Sequence, residues 1–164
     1  MLEYGTTPLV TQGMPNERPL LYTWVSEQPR QVTLELPVPL PDVLPLHDAF
    51  YLYAQTWHWQ PLANGYSGHY AQAYLDLLDT LVGFPDERSS EAMALTGIGR
   101  VILHGELFRP GEYARIVRAL EGHRDYHLLT ITTDHMGEAR VYAFLPAFGR
   151  SAPPSTTTPP LIRP

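Results

Sequence analysis

Residues 100–122, RVILHGELFRPGEYARIVRALEG, join a compact apolar run to a segment with helical period. Arg100 to His104 is short, branched and continuous in its apolar character, as strands of a buried parallel sheet are. From Pro110 to Glu121 the residues Tyr113, Ile116, Val117 and Leu120 share one stripe, and Gly122 is placed to end the helix. This helix is expected to pack on the sheet beside strand 100–104. Working back along the chain, Gln31 to Leu36 alternates. Val32, Leu34 and Leu36 lie on one face and Thr33 and Glu35 on the other, the pattern of a half-buried strand whose polar face meets solvent. Leu20, Leu21, Trp24 and Val25 predict a short amphipathic helix with Pro19 in its first position and Pro29 beyond its end. Tyr70 to Val82 predicts a helix on Tyr74, Leu77, Leu78, Leu81 and Val82, and Asp86 to Leu95 a shorter one. Ala49 to Ala54 (AFYLYA) reads as a strand or the floor of a site, running through Trp57-His58-Trp59 into a loop. Forward of residue 122, His127–Thr133 and Ala139–Leu145 predict a hairpin around a five-residue loop, Asp134 to Glu138. The expected fold is therefore α/β: a layered domain with a mixed sheet of four to five strands flanked by helices, ending in a β-hairpin.

The 164 residues suit one domain, since a chain of this length buries roughly 68–70% of its unfolded surface. Residues 1–17 read as an extended lead-in, 18–145 as the single domain, and 146–164, rich in Pro, Ser and Thr, as a disordered tail. Pro37, Pro39, Pro41 and Pro45 make residues 37–46 a stiff crossing segment. Glu3, in a start with neither a basic region nor an apolar core, argues against a signal peptide. The uncharged stretch from Ala49 to Leu75 is interrupted by Gln55, His58, Gln60, Pro61, Asn64, Gly65 and Gly68, so no membrane span is expected.

Seventeen acidic and eleven basic residues give a net charge of −6, which offers no general attraction for nucleic acid or anionic lipid. Every basic residue is Arg, so lysine Schiff bases, P-loop lysines and Ser-Lys dyads are excluded, and with no Cys so are thiolate sites. Of the seven histidines, His123 and His127 are four apart, but Gly122 breaks the helix before them and no further ligand completes a set, so no metal and no cofactor is expected. Ser67 lacks the spacing of a nucleophile elbow.

Chemistry-bearing side chains concentrate between Thr56 and Tyr70 (TWHWQPLANGYSGHY). Aromatic faces, neutral hydrogen-bonding groups and turns meet there, a mixture suited to sugars, whose C–H faces lie against rings while their hydroxyls bond to amides and imidazoles. The candidate contacts are Trp57, His58, Trp59, Asn64, Tyr66 and Ser67. Against this stands a purely architectural reading, in which the rings are core and the glycines only make turns, leaving a plain interaction module. A third reading pairs Glu35 with His58 as acid and base of a small hydrolase, brought together near strand ends.

Trp24-Val-Ser-Glu-Gln-Pro29 with Val32-Thr-Leu-Glu-Leu-Pro37, then Thr56-Trp-His-Trp-Gln-Pro-Leu-Ala-Asn-Gly-Tyr-Ser-Gly68, Gly83-Phe-Pro-Asp86, Val101-Ile-Leu-His104 and Tyr113-Ala-Arg-Ile-Val117 together resemble a bacterial arrangement. They are similar to the soluble C-terminal region of polytopic membrane glycosyltransferases of the GT-C type, which use polyprenyl-phosphate sugars. The resemblance spans roughly residues 17–145. It implies an extracytoplasmic accessory domain, partnered by a membrane-embedded transferase portion and facing a sugar or polyprenyl-linked glycan. In that family the transmembrane bundle and the catalytic acid, which sits in an extracytoplasmic loop, lie N-terminal to this region, so no catalytic residue is carried onto this chain.

Overall fold

The computed structural model describes residues 17–40, 46–65 and 68–147. The expected lead-in, apart from Glu17, lies outside them, as do the tail from residue 148 onward and half of the proline segment.

Among the described residues nine helices and strands succeed one another: α1 (Leu20–Ser26), β1 (Val32–Leu36), α2 (Asp48–His58), α3 (Gln72–Leu81), α4 (Glu87–Leu95), β2 (Ile98–His104), α5 (Glu112–Leu120), β3 (Tyr126–Asp134) and β4 (Gly137–Phe144). A single 3-10 turn, Gly105–Leu107, follows β2. The four strands form one mixed sheet in the order β1-β2-β4-β3, with β1 parallel to β2 and the other neighbours antiparallel. The α/β fold with a mixed sheet and a C-terminal hairpin is as the sequence predicts.

Strand alternation sorts the core into two layers. Leu34, Leu36, Val101, Leu103, Tyr142 and Phe144 face Leu77 and Leu81 of α3, Met93 of α4 and Ile116, Val117 and Leu120 of α5. On the opposite side Ile102, Ala139 and Val141 meet Leu21 and Val25 of α1 and Ala54 of α2. Both faces of the sheet are thus covered at β1 and β2, which are buried almost end to end, while the edge strand β3 stays largely exposed, with Leu128, Leu129 and Ile131 open to solvent.

Three local expectations are corrected. Residues 49–54 are neither strand nor floor but the first half of α2, whose helical period buries Asp48, Tyr51, Ala54 and His58 on one side. The aromatic composition favours a strand, and packing against α1 and the sheet overrides it. The hairpin loop is also shorter than expected: Asp134 pairs with Gly137, leaving His135-Met136 as the turn. Gly137 closes it at φ 87°, and the Asp134 carboxylate accepts the Met136 amide at 2.8 Å. Finally, the second face of β1, read as meeting solvent, is sealed beneath α1 and α2, with Thr33 and Glu35 both inaccessible.

Candidate functional site

The segment after α2 runs beside the outer edge of β1 and takes the place of a further strand. The Thr33 amide donates to the Pro61 carbonyl at 2.8 Å, and the Ala63 amide donates to the Thr33 carbonyl at 2.8 Å. One step on, the pairing passes from backbone to side chain. Asn64 accepts the Glu35 amide through Oδ1 and donates through Nδ2 to the Glu35 carbonyl, both at 2.8 Å. A carboxamide carries the same donor and acceptor pair as a peptide group, so it closes a sheet edge without a strand.

Gln60 binds the same segment to the neighbouring loop. Its Oε1 accepts the Gln31 amide at 3.0 Å, and its Nε2 donates to the carbonyls of Val25 and Gln28.

Beneath this edge lies a polar cluster on the α1/α2 side of the sheet. Oε2 of the buried Glu35 accepts the Tyr22 hydroxyl and His104 Nε2, each at 2.7 Å. His58 Nε2 stands 3.9 Å from Glu35 Oε1, beyond hydrogen-bond range, and each of these two atoms lacks a hydrogen-bond partner among the described residues. His58 Nδ1 accepts the Gln60 amide, so in the neutral ring the proton sits on Nε2, facing Glu35. The Tyr22 ring stacks on His58 and the Tyr51 ring on His104.

Burial and the nearby Glu35 carboxylate push the hydroxyls of Tyr22 and Tyr51 far above the ordinary tyrosine value, so both remain O–H donors. Burial pulls the His58 imidazole down from 6.5; Glu35 opposes this, and Arg100 and Arg18 add to it. Arg100 is itself buried, with its guanidinium donating to the Pro29 carbonyl at 3.0 Å. Asp48, at the start of α2, accepts the Tyr74 hydroxyl at 3.1 Å, and burial raises its carboxyl.

A lowered histidine fixes the sign of a pH effect. As pH falls below about 6.5 the unfolded chain takes a proton on His58 that the folded chain resists, so stability present above that value is lost toward acid. The urea midpoint is expected to fall between about pH 7 and pH 5 more steeply in the native protein than in His58→Gln. Parallel slopes would show that His58 is no less basic when folded.

The six candidate contacts separate accordingly. His58 and Asn64 point inward and are buried. Trp57 is half-buried and packs on Tyr22 and Tyr53. Tyr66 and Ser67 lie outside the described residues. Trp59 alone among the described candidates faces solvent, with 77% of its surface exposed. It follows the last residue of α2 in the left-handed conformation at φ 55°, where its amide donates to the Gln55 carbonyl. It is the only non-glycine residue with positive φ among those described. Beside it runs a groove of about 310 Å³ lined by Arg30, Gln55, Thr56, Trp59, Gln60 and Pro61. A larger hollow of about 540 Å³ lies elsewhere, between α4 and the loop after α5, and contains none of the candidates.

Glu35 and His58 are close, as the acid/base reading requires, but α1 and α2 shut both from solvent. His104 and Tyr22, the direct partners of Glu35, were not among the sequence candidates. The alternation that turns Glu35 away from Leu34 and Leu36, and His104 away from Leu103, is the signal that could have found the cluster. No group of three or more acidic or histidine side chains among the described residues is arranged to hold a metal ion. No helix of the described residues is long and apolar enough to cross a membrane. Comparison of the chain with models of protein families, with curated proteins and with solved structures gives no match.

Proposed function

We propose that the domain is a non-catalytic, carbohydrate- or glycolipid-facing accessory module whose contact surface is the groove beside Trp59. The observation that carries this reading is the state of Trp59 itself. A left-handed tryptophan costs on the order of 1–2 kcal/mol relative to glycine, and an indole left in water gains nothing from burial. The left-handed backbone ends α2, but packing within the domain leaves the ring uncovered, and a pyranose laid on that ring buries it. Gln55 and Thr56 stand on the rim as neutral hydrogen-bonding groups. The resemblance to the soluble region of GT-C membrane glycosyltransferases supports the same reading, with a membrane-embedded transferase portion as partner. The sealed position of Glu35 and His58 argues against hydrolysis by that pair, since no substrate bond reaches them past α1 and α2.

The test is calorimetric titration of the protein with a panel of oligosaccharides, beside Trp59→Ala and an assay for turnover. Saturable heat from at least one glycan, lost in Trp59→Ala at unchanged melting temperature, with every glycan recovered intact, is the expected result. Cleavage of a glycan by the purified chain, or heat that persists in Trp59→Ala, would contradict it. Trp59→Gly is further expected to raise stability by about 1 kcal/mol, because glycine adopts positive φ without strain. A lower melting temperature in that variant would show that the indole is held for packing.

A further inference from the structure

The groove beside Trp59 contains one formal charge, the Arg30 guanidinium, and no acid lines it. Arg30 is exposed and makes no ion pair or side-chain hydrogen bond among the described residues, in a protein with six more acidic than basic residues. Its backbone is held on both sides. The preceding carbonyl, of Pro29, accepts the buried Arg100 guanidinium at 3.0 Å, and the following amide, of Gln31, donates to Gln60 Oε1 at 3.0 Å. Gln60 is thereby tied to the groove wall and to the base of Arg30 at once. An unpaired guanidinium on a clamped stalk, next to an outward-facing indole, is prepared for a planar anion attached to a ring.

We infer that the groove selects acidic sugars: a uronic acid residue whose pyranose lies on Trp59 and whose carboxylate accepts two parallel N–H bonds from Arg30. This rests on the reading of the groove as a glycan contact. The planar fork of arginine matches a carboxylate, and a neutral hexose leaves it unpaired, so the carboxylate is the group that discriminates.

The experiment follows the Trp59 indole N–H signal by NMR in the full chain and in Arg30→Gln, titrating methyl glucuronide, methyl glucoside and acetate separately. The expected result is tighter binding of the glucuronide than the glucoside by about tenfold, the size of one charge-assisted contact, with that preference lost in Arg30→Gln and no response to acetate in the same range. Equal affinity for the two glycosides would overturn the acidic-sugar inference and leave the glycan reading standing. A glucuronide preference that survives in Arg30→Gln would remove Arg30 from the account. Acetate binding as tightly as glucuronide would reduce the groove to an anion site. An indole signal that no glycoside moves would sink both the inference and the reading beneath it.

Discussion

Glu35→Ala is expected to destabilise the protein by about 3–5 kcal/mol, a large share of the roughly 5–15 kcal/mol that holds a domain folded. The carboxylate is the common acceptor of Tyr22 and His104 and faces His58, and all four groups are enclosed by α1, α2 and the sheet. Truncation leaves the Tyr22 hydroxyl and the His104 N–H without an acceptor, besides opening a cavity. Glu35→Gln keeps an acceptor oxygen and the side-chain volume, so its cost is expected to be less than half as large. Urea denaturation of the two variants checks the ordering. Equal and small losses would mean that water reaches the cluster and that Glu35 is dispensable.

Asn64→Ala is expected to cost about 2–4 kcal/mol, since it strips the partners from two buried backbone groups of β1. The effect has a local signature. The Glu35 amide, protected in the native protein by Asn64 Oδ1, is expected to exchange with solvent much faster in the variant, while amides of β2 and β4 slow or quicken only with global stability. Asn64→Asp is expected to be no better than Ala. It retains an acceptor for the Glu35 amide but turns a carboxylate oxygen toward the Glu35 carbonyl. A variant whose Glu35 amide stays protected would show that residues 61–64 do not close the sheet edge.

The strands were legible because β1 alternates its apolar residues at a period of two and β2 is a short continuous apolar run, and α3 and α5 because their stripes recur at helical spacing. Residues 49–54 were not, since AFYLYA is equally apolar at periods of two and of 3.6. The decision comes from contacts with Leu21, Val25 and Ile102 on distant segments. The same limit governs the candidate site. Sequence places His58, Trp59, Gln60 and Asn64 within seven positions but cannot say which turn inward, because the amide that recognises a hydroxyl is also the amide that closes a sheet edge.

Glu35 shows the converse. Alternation put it correctly on the face opposite Leu34 and Leu36, yet the solvation of that face depended on α1 and α2 crossing it, which no local pattern encodes. The left-handed geometry of Trp59 was equally invisible. It arises where α2 ends and the chain turns to run along β1, and nothing in the composition of Trp57-His58-Trp59 marks it.

The central claim is that inward-facing His58, Gln60 and Asn64 build the scaffold, while outward-facing Trp59 receives a glycan. Acrylamide quenching of tryptophan emission tests it most directly, because Trp59 is far more exposed than half-buried Trp24 and Trp57. A saturating oligosaccharide is predicted to shield the readily quenched fraction, with the effect absent in Trp59→Ala. Quenching unchanged by every glycan tried would contradict the account.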